Sequence, residues 1–91
     1  MIRIRSIFNS FYSDIYFNLE EDREYIVEYI EVRNLNKWDI ISISDVVDIP
    51  MNEYFNIGIK DITTNQRGIY KSFYFDLESF KRDINIKNIL G

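Results

Sequence analysis

Carboxylates between residues 20 and 31 are the densest group of charged side chains in the sequence. They are Glu20, Glu21, Asp22, Glu24, Glu28 and Glu31. On an α-helix, residues three, four and seven positions apart share one face, so part of this group would form an acidic stripe. The stripe would consist of Glu20, Glu24, Glu28 and Glu31. Such a stripe could bind a basic groove on a partner protein or imitate a nucleic-acid backbone, and the simpler interpretation is a solvated surface.

Other catalytic and metal-binding chemistry is poorly represented in the chain. It contains no Cys and no His, which excludes disulfides, thiol nucleophiles, histidine bases and the usual zinc sites. Asp39, Asp45 and Asp48 could join Glu53 or Asp61 around a divalent cation, but they lack the spacing of a calcium loop. We therefore expect no metal, no cofactor and no enzymatic activity.

Aromatic side chains are the second group that could bind a ligand. Tyr12, Tyr16, Tyr54, Tyr70 and Tyr74 lie in segments with strand character. Together with Arg3, Arg5, Arg67 or Lys71 they could stack the bases of single-stranded nucleic acid. A protein interface, in which Tyr is enriched, is the alternative, as is ordinary packing.

The predicted protein-binding surface combines the acidic stripe with two aromatic residues. These are Tyr29, within the acidic segment, and Trp38, the single tryptophan, which follows a polar loop. An indole at that position could pack and still find a partner for its N–H.

Residues 24–33 determine which fold positions these groups. A helix is consistent with Asn18 as N-cap, acidic residues in the first turn and Arg33 in the last. A strand is favoured by the β-branched and aromatic residues at nearly every apolar position between 25 and 32. We favour the strand, with residues 34–37 as a hairpin loop into the next strand.

Further strands are predicted by alternating polarity, and one helix by its period. The strands cover residues 2–6, 15–19, 38–44, 54–61 and 69–75. Residues 63–68 form a polar turn between the last two. Leu77, Phe80 and Ile84 recur at helical spacing after Asp76, which predicts a short helix over residues 76–84.

The second half resembles the small WYL-type barrels of the Sm and SH3 kind. An aromatic strand at residues 54–57 is followed by a polar turn and by Phe73-Tyr74-Phe75-Asp76-Leu77. WYL modules carry basic residues for ligand contact in the closing segment, where this chain has Tyr74. The resemblance covers about half of the chain and supports a small barrel. We expect one α+β domain over residues 1–91, mostly antiparallel β, as a curved sheet or an SH3/Sm-like barrel with a short C-terminal helix.

Composition completes the functional expectations. The 91-residue chain has a net charge of −4, which disfavours nucleic acid as the partner. Its amino end resembles neither a signal peptide nor a membrane span, so we expect a cytoplasmic protein. Ile, Asn, Tyr and Phe are frequent and Ala is absent, which points to an A+T-rich genome such as that of a phage or mobile element.

Three functions follow from these features. The first is protein binding, as an inhibitor of a host nucleic-acid-handling or defence enzyme. The second is a small barrel that binds nucleic acid or a small ligand through Tyr and Arg. The third is a structural subunit that self-associates through an open sheet edge.

Overall fold

A computed structural model describes residues 2–10 and 16–90. The strands are β1 (Arg3–Arg5), β2 (Glu24–Asn34), β3 (Lys37–Ile41), β4 (Asn56–Lys60) and β5 (Arg67–Lys71). One helix, α1 (Leu77–Leu90), follows them, and short 3₁₀ segments lie at Ile43–Asp48 and Ser72–Tyr74. The architecture is α+β and mostly β, as the sequence predicts.

The long strand β2 organises the sheet. It pairs antiparallel with β1 and β3 along one edge and with β4 along the other, and β4 then pairs with β5. The predicted strand over residues 25–32 is confirmed, and the helical alternative is wrong. β-branched and aromatic residues at successive positions suit a strand that is covered on one side and flanked by neighbours.

A β-bulge in β2 keeps its apolar residues on the core side. The register with β4 shifts between Val27 and Tyr29, so Glu28 is the extra residue. Tyr25, Val27 and Ile30 are all buried in the same apolar cluster. Without the bulge, strict alternation would direct Val27 and Ile30 to opposite faces.

Helix α1 covers the core face of the sheet at the β1 side. Phe80 and Ile84 are buried in the cluster that includes Ile4 of β1. Asp76 accepts a hydrogen bond at Oδ1 from the Ser79 backbone N–H, 3.2 Å away, which satisfies a free donor of the first turn. The predicted helix is therefore confirmed, and it continues to residue 90.

The structure corrects three details of the sequence interpretation. The strand predicted over residues 38–44 ends at Ile41, and a 3₁₀ segment follows it; the strand predicted over residues 69–75 ends at Lys71. Residues 16–19 have no regular secondary structure, and residue 15 lies outside the described residues. Of the two predicted architectures, the curved sheet is confirmed, because the sheet is not closed into a barrel.

Candidate binding groove at the hairpin end of the sheet

The face of the sheet opposite the core, here called the open face, carries a mixture of cations, carboxylates and aromatic rings. Strand register places side chains in rows across it, because directly opposed residues share a face. One row runs Ile40, Glu31, Asn56 and Lys71, and another runs Tyr29, Gly58 and Ile69. Arg33 lies opposite Trp38 beside the turn that joins β2 and β3.

The four predicted acidic residues are spread along the chain and lie beside polar or cationic groups. Glu24 lies 3.6 Å from Arg3 and 3.4 Å from Arg5. Glu28 accepts two hydrogen bonds from the Arg67 guanidinium, both 3.0 Å long.

The remaining two carboxylates are also engaged. Glu31 Oε1 accepts a hydrogen bond of 3.0 Å from the Asn56 amide, and Glu20, in the turn before β2, lies 3.0 Å from Arg23. The continuous stripe required a helix and is not formed, so an acidic role would have to operate through carboxylates that already have partners.

Tyr29, the first aromatic residue of the predicted surface, lies across Gly58 on the neighbouring strand. A Cβ built on Gly58 would come within 2.2 Å of Tyr29 Cε1. Partial burial of the phenol is the main cause that raises the pKa of Tyr29, and the nearby Glu31 carboxylate adds to it. Gly58 is therefore required because the tyrosine ring occupies the space above its backbone.

Trp38, the second predicted aromatic residue, lines a groove of about 600 Å³ at the end of the sheet. The other lining residues are Arg33, Tyr54, Asn56, Lys71 and Phe73, with the buried Phe55 among them. We call this the hairpin groove, because the β2–β3 hairpin forms one wall. Its volume falls in the range of small-ligand and peptide sites.

Aromatic rings dominate the hairpin groove and are accessible. Trp38, Tyr54 and Phe73 are 44%, 69% and 40% exposed. Tyr54 and Phe73 meet edge to face, with ring centroids 5.9 Å apart, and Phe73 stacks on Tyr74 at 4.4 Å. These contacts order the rings without hiding them.

The cations of the hairpin groove have no acidic partners in the part of the chain that the structure describes. Among the described residues, no carboxylate lies within 4.0 Å of Arg33 or Lys71, although other arginines on the same face form ion pairs. Arg33 donates only a hydrogen bond of 3.4 Å to the Leu35 carbonyl. The described lining of the groove therefore carries two cations and no carboxylate, on a chain whose net charge is −4. An adjoining cavity that shares Arg33 is lined by Asp39, Asp48 and Glu53.

Exposed aliphatic residues lie on the β2–β3 hairpin beside the groove. Leu35 at its tip and Ile40 on β3 are 88% and 68% exposed. Leu35 also has a φ of 59°, a left-handed conformation that a bulky side chain rarely adopts.

Comparison of the chain with protein-family models, curated proteins and solved structures finds no match.

The opposite end of the sheet, where β2 begins, has a different electrostatic character. Asp61 is only 4% exposed; its Oδ1 accepts hydrogen bonds from the Thr63 and Thr64 backbone N–H groups and from Arg23. Burial acts to raise the pKa of Asp61, but these hydrogen bonds and the Arg23 charge outweigh it, so the pKa lies below its ordinary value.

A second, smaller cavity of about 270 Å³ lies between β1 and α1. Its charged lining residues are Arg3, Arg5, Arg82, Glu24, Asp76 and Asp83. The two signs are balanced, so this cavity does not select either anions or cations. No group of three or more potential metal ligands occurs in residues 2–10 and 16–90, and no helix there is long and apolar enough to cross a membrane.

The sequence predicts some of the groove residues as binding residues but not others. It predicts Trp38 for a protein interface, and Tyr54 and Lys71 for nucleic-acid stacking. It predicts Arg33 only as a helix-terminal cation and Phe73 only as part of a strand. A two-residue turn at positions 35–36 places residues 33 and 38 side by side, which is the signal that could have paired Arg33 with Trp38.

Proposed function

We propose that the protein is a non-enzymatic binding module and that its hairpin groove docks onto a protein partner. The observation that carries this proposal is the accessible cluster of Trp38, Tyr54 and Phe73 beside unpaired Arg33. Trp, Tyr and Arg are the residues that most often dominate binding energy in protein interfaces.

Exposed apolar side chains on the β2–β3 hairpin support a protein as the partner. Leu35 and Ile40 extend the apolar surface beyond the rings. Such a patch with a polar rim is typical of interaction sites rather than of ordinary protein surface.

The absence of Cys and His from the sequence removes the commonest catalytic groups and supports a non-enzymatic role.

Affinity capture from the source cell with matched baits tests this proposal. We expect wild-type protein to retain a partner that Trp38→Ser loses. Phe8→Ser is the matched control, because Phe8 is an aromatic residue of similar exposure (53%) that does not line the groove. The baits must have equal folded fractions by circular dichroism before capture. Equal retention of the partner by Trp38→Ser and Phe8→Ser would contradict the proposal.

The acidic residues enter the same experiment as a separate bait. Reversal of Glu24 and Glu28 to Lys removes the carboxylates that pair with Arg3, Arg5 and Arg67. We expect this bait to retain the partner. Loss of the partner here, with retention by Trp38→Ser, would transfer the binding site to the acidic segment.

An inhibitor of a host nucleic-acid-handling or defence enzyme, encoded by a phage or mobile element, is the specific form of this proposal that composition supports. This form of the proposal implies that the protein acts in the cytoplasm. If the captured partner is such an enzyme, wild-type protein should reduce its turnover in proportion to complex formed, and Trp38→Ser should not. Unchanged turnover with saturating wild-type protein would limit the function to binding.

Single-stranded nucleic acid is the second candidate, favoured by the same aromatic rings together with Arg33, Lys71 and Lys60 on the open face. Stacking on such rings is tolerant of sequence, and the affinity falls as salt rises. Titration with oligothymidylate at two salt concentrations tests it. Salt-dependent binding that Trp38→Ser abolishes would favour this candidate over the protein partner.

A further inference from the structure

The charge of the hairpin groove defines the chemistry of its ligand. The groove has unpaired cations at Arg33 and Lys71, whereas Glu31, the nearest carboxylate in the same row as Lys71, is engaged by Asn56. A groove of positive charge attracts acidic ligands and disfavours basic ones.

The apolar part of the ligand is defined by the residues around the tip of the hairpin. Leu35 holds a left-handed backbone conformation that costs free energy, and its side chain is almost fully exposed, so packing within the chain does not explain a leucine there. Glycine or asparagine would fit this turn with less strain.

We infer that the hairpin groove binds a protein segment in which carboxylates flank a large apolar side chain. This inference rests on the proposed function. Arg33 and Lys71 take the carboxylates, while Leu35 and Trp38 contact the apolar side chain. Ile40 and Leu35 are exposed and aliphatic, so they offer apolar contact without the aromatic face on which bases stack, which favours an apolar peptide side chain over a nucleotide as occupant.

Selection of displayed random peptides on the folded protein tests the chemistry directly. Trp38→Ser serves as the counter-selection target. We expect the enriched peptides to combine Asp or Glu with Leu, Phe or Trp. Enrichment of basic or uncharged peptides, or no enrichment over the counter-selection, would overturn the inference.

Calorimetric titration of the strongest selected peptide then tests whether Arg33 and Lys71 bind its carboxylates. The double variant Arg33→Glu and Lys71→Glu should weaken binding by about ten-fold or more, because it replaces two attractions with repulsions. The double variant Arg82→Glu and Lys87→Glu makes the same two charge reversals on α1, away from the groove, and should alter affinity by less than about two-fold. An equal effect in both proteins would show that only net charge matters and would overturn the inference.

Leu35→Gly separates binding from folding. It should weaken peptide binding by about ten-fold while the protein becomes no less stable, because glycine relieves the strained φ. Unchanged affinity would remove Leu35 from the site.

Failure of this inference is distinguishable from failure of the proposed function. A photo-crosslinking residue placed at position 40, which lies on the same face of β3 and leaves Trp38 in place, reports any protein that occupies the groove in the source-cell extract. Crosslinked protein without acidic preference in the peptides would leave the proposed function standing and overturn only the ligand chemistry. Oligothymidylate binding that competes with the selected peptide and exceeds it in affinity would assign the groove to nucleic acid and overturn both.

Discussion

The two ends of the sheet differ in whether their cations are paired with carboxylates. At the end where β2 begins, here called the turn end, Arg23 reaches both Glu20 and the buried Asp61, and Arg67 reaches Glu28. At the hairpin end, Arg33 and Lys71 lack any carboxylate partner among residues 2–10 and 16–90.

This difference separates groups that stabilise the fold from groups that remain available to a ligand. A buried carboxylate is tolerated only with hydrogen bonds and a cation, as at Asp61. Exposed aromatic rings beside free cations contribute little to folding, and they match the composition of binding hot spots. A charge count over the whole chain conceals the contrast, because the net value of −4 describes neither end.

The largest expected effect comes from breaking the turn end. Asp61→Ala leaves the Thr63 and Thr64 N–H groups and Arg23 without their acceptor, so it should lower the free energy of unfolding by about 2–4 kcal/mol. Urea unfolding followed by circular dichroism measures this loss. The matched control is Asp39→Ala, since Asp39 forms an exposed pair with Lys37 at 3.9 Å and should cost less than about 0.5 kcal/mol. Equal losses would refute the contrast in burial.

The same carboxylate should make stability depend on pH. Because the pKa of Asp61 is lower in the folded than in the unfolded chain, its stabilisation is fully present above the ordinary pKa of about 4. It is lost as pH falls through the lower folded pKa. The difference in unfolding free energy between wild type and Asp61→Asn should therefore shrink below about pH 4. A difference that is constant with pH would show that hydrogen bonding, and not charge, holds Asp61.

Between the two ends, substitution of Gly58 measures the free-energy cost of displacing the Tyr29 ring from the open face. Gly58→Ala should cost about 1–2 kcal/mol, because the new Cβ displaces the Tyr29 ring. A double-mutant cycle checks the cause: the cost should be smaller when Tyr29 is already Ala. The same cost in both backgrounds would point to the backbone of β4 and not to the ring.

At the hairpin end, relief of strain should stabilise the fold. Leu35→Gly should raise the free energy of unfolding by about 0.5–1 kcal/mol, since the gain at positive φ exceeds the lost side-chain contacts of an 88% exposed residue. Leu35→Ala provides the comparison, because alanine keeps the strain and should not stabilise. A lower stability of the glycine variant would show that Leu35 packs within the chain.

The smallest effects compare one charge reversal at each end. Lys71→Glu should change stability by less than about 0.5 kcal/mol, because Lys71 has no ion pair to lose. Arg67→Glu should cost about 1 kcal/mol, since it breaks the contact with Glu28 and opposes like charges. Thermal unfolding of the two variants at low and moderate salt gives both values. The difference between the two losses of unfolding free energy should narrow as salt rises. A larger loss for Lys71→Glu than for Arg67→Glu would contradict the assignment of Lys71 as free and Arg67 as paired.

The sequence was sufficient to predict the elements governed by local patterns. The strand character of β2 follows from its β-branched and aromatic residues, and the helix from the spacing of Leu77, Phe80 and Ile84. The bulge at Glu28 was not predictable, because nothing in the residues from 25 to 32 breaks the run.

The hairpin groove was not predictable as a unit for a related reason. Its walls come from four strands and their flanking residues, and their juxtaposition depends on strand register. The carboxylates attracted attention because they are close in sequence. The cations beside Glu24 and Glu28 are supplied by β1 and β5, far from them along the chain.

The position of Trp38 makes it an intrinsic fluorescent probe of the hairpin groove. As the single tryptophan, it lies half-exposed at the groove and outside the buried cluster, whose aromatic members are tyrosine and phenylalanine. Its emission therefore reports the polarity of the groove. Docking should bury the indole and unfolding should expose it, so the two processes should shift the emission in opposite directions in one unlabelled sample.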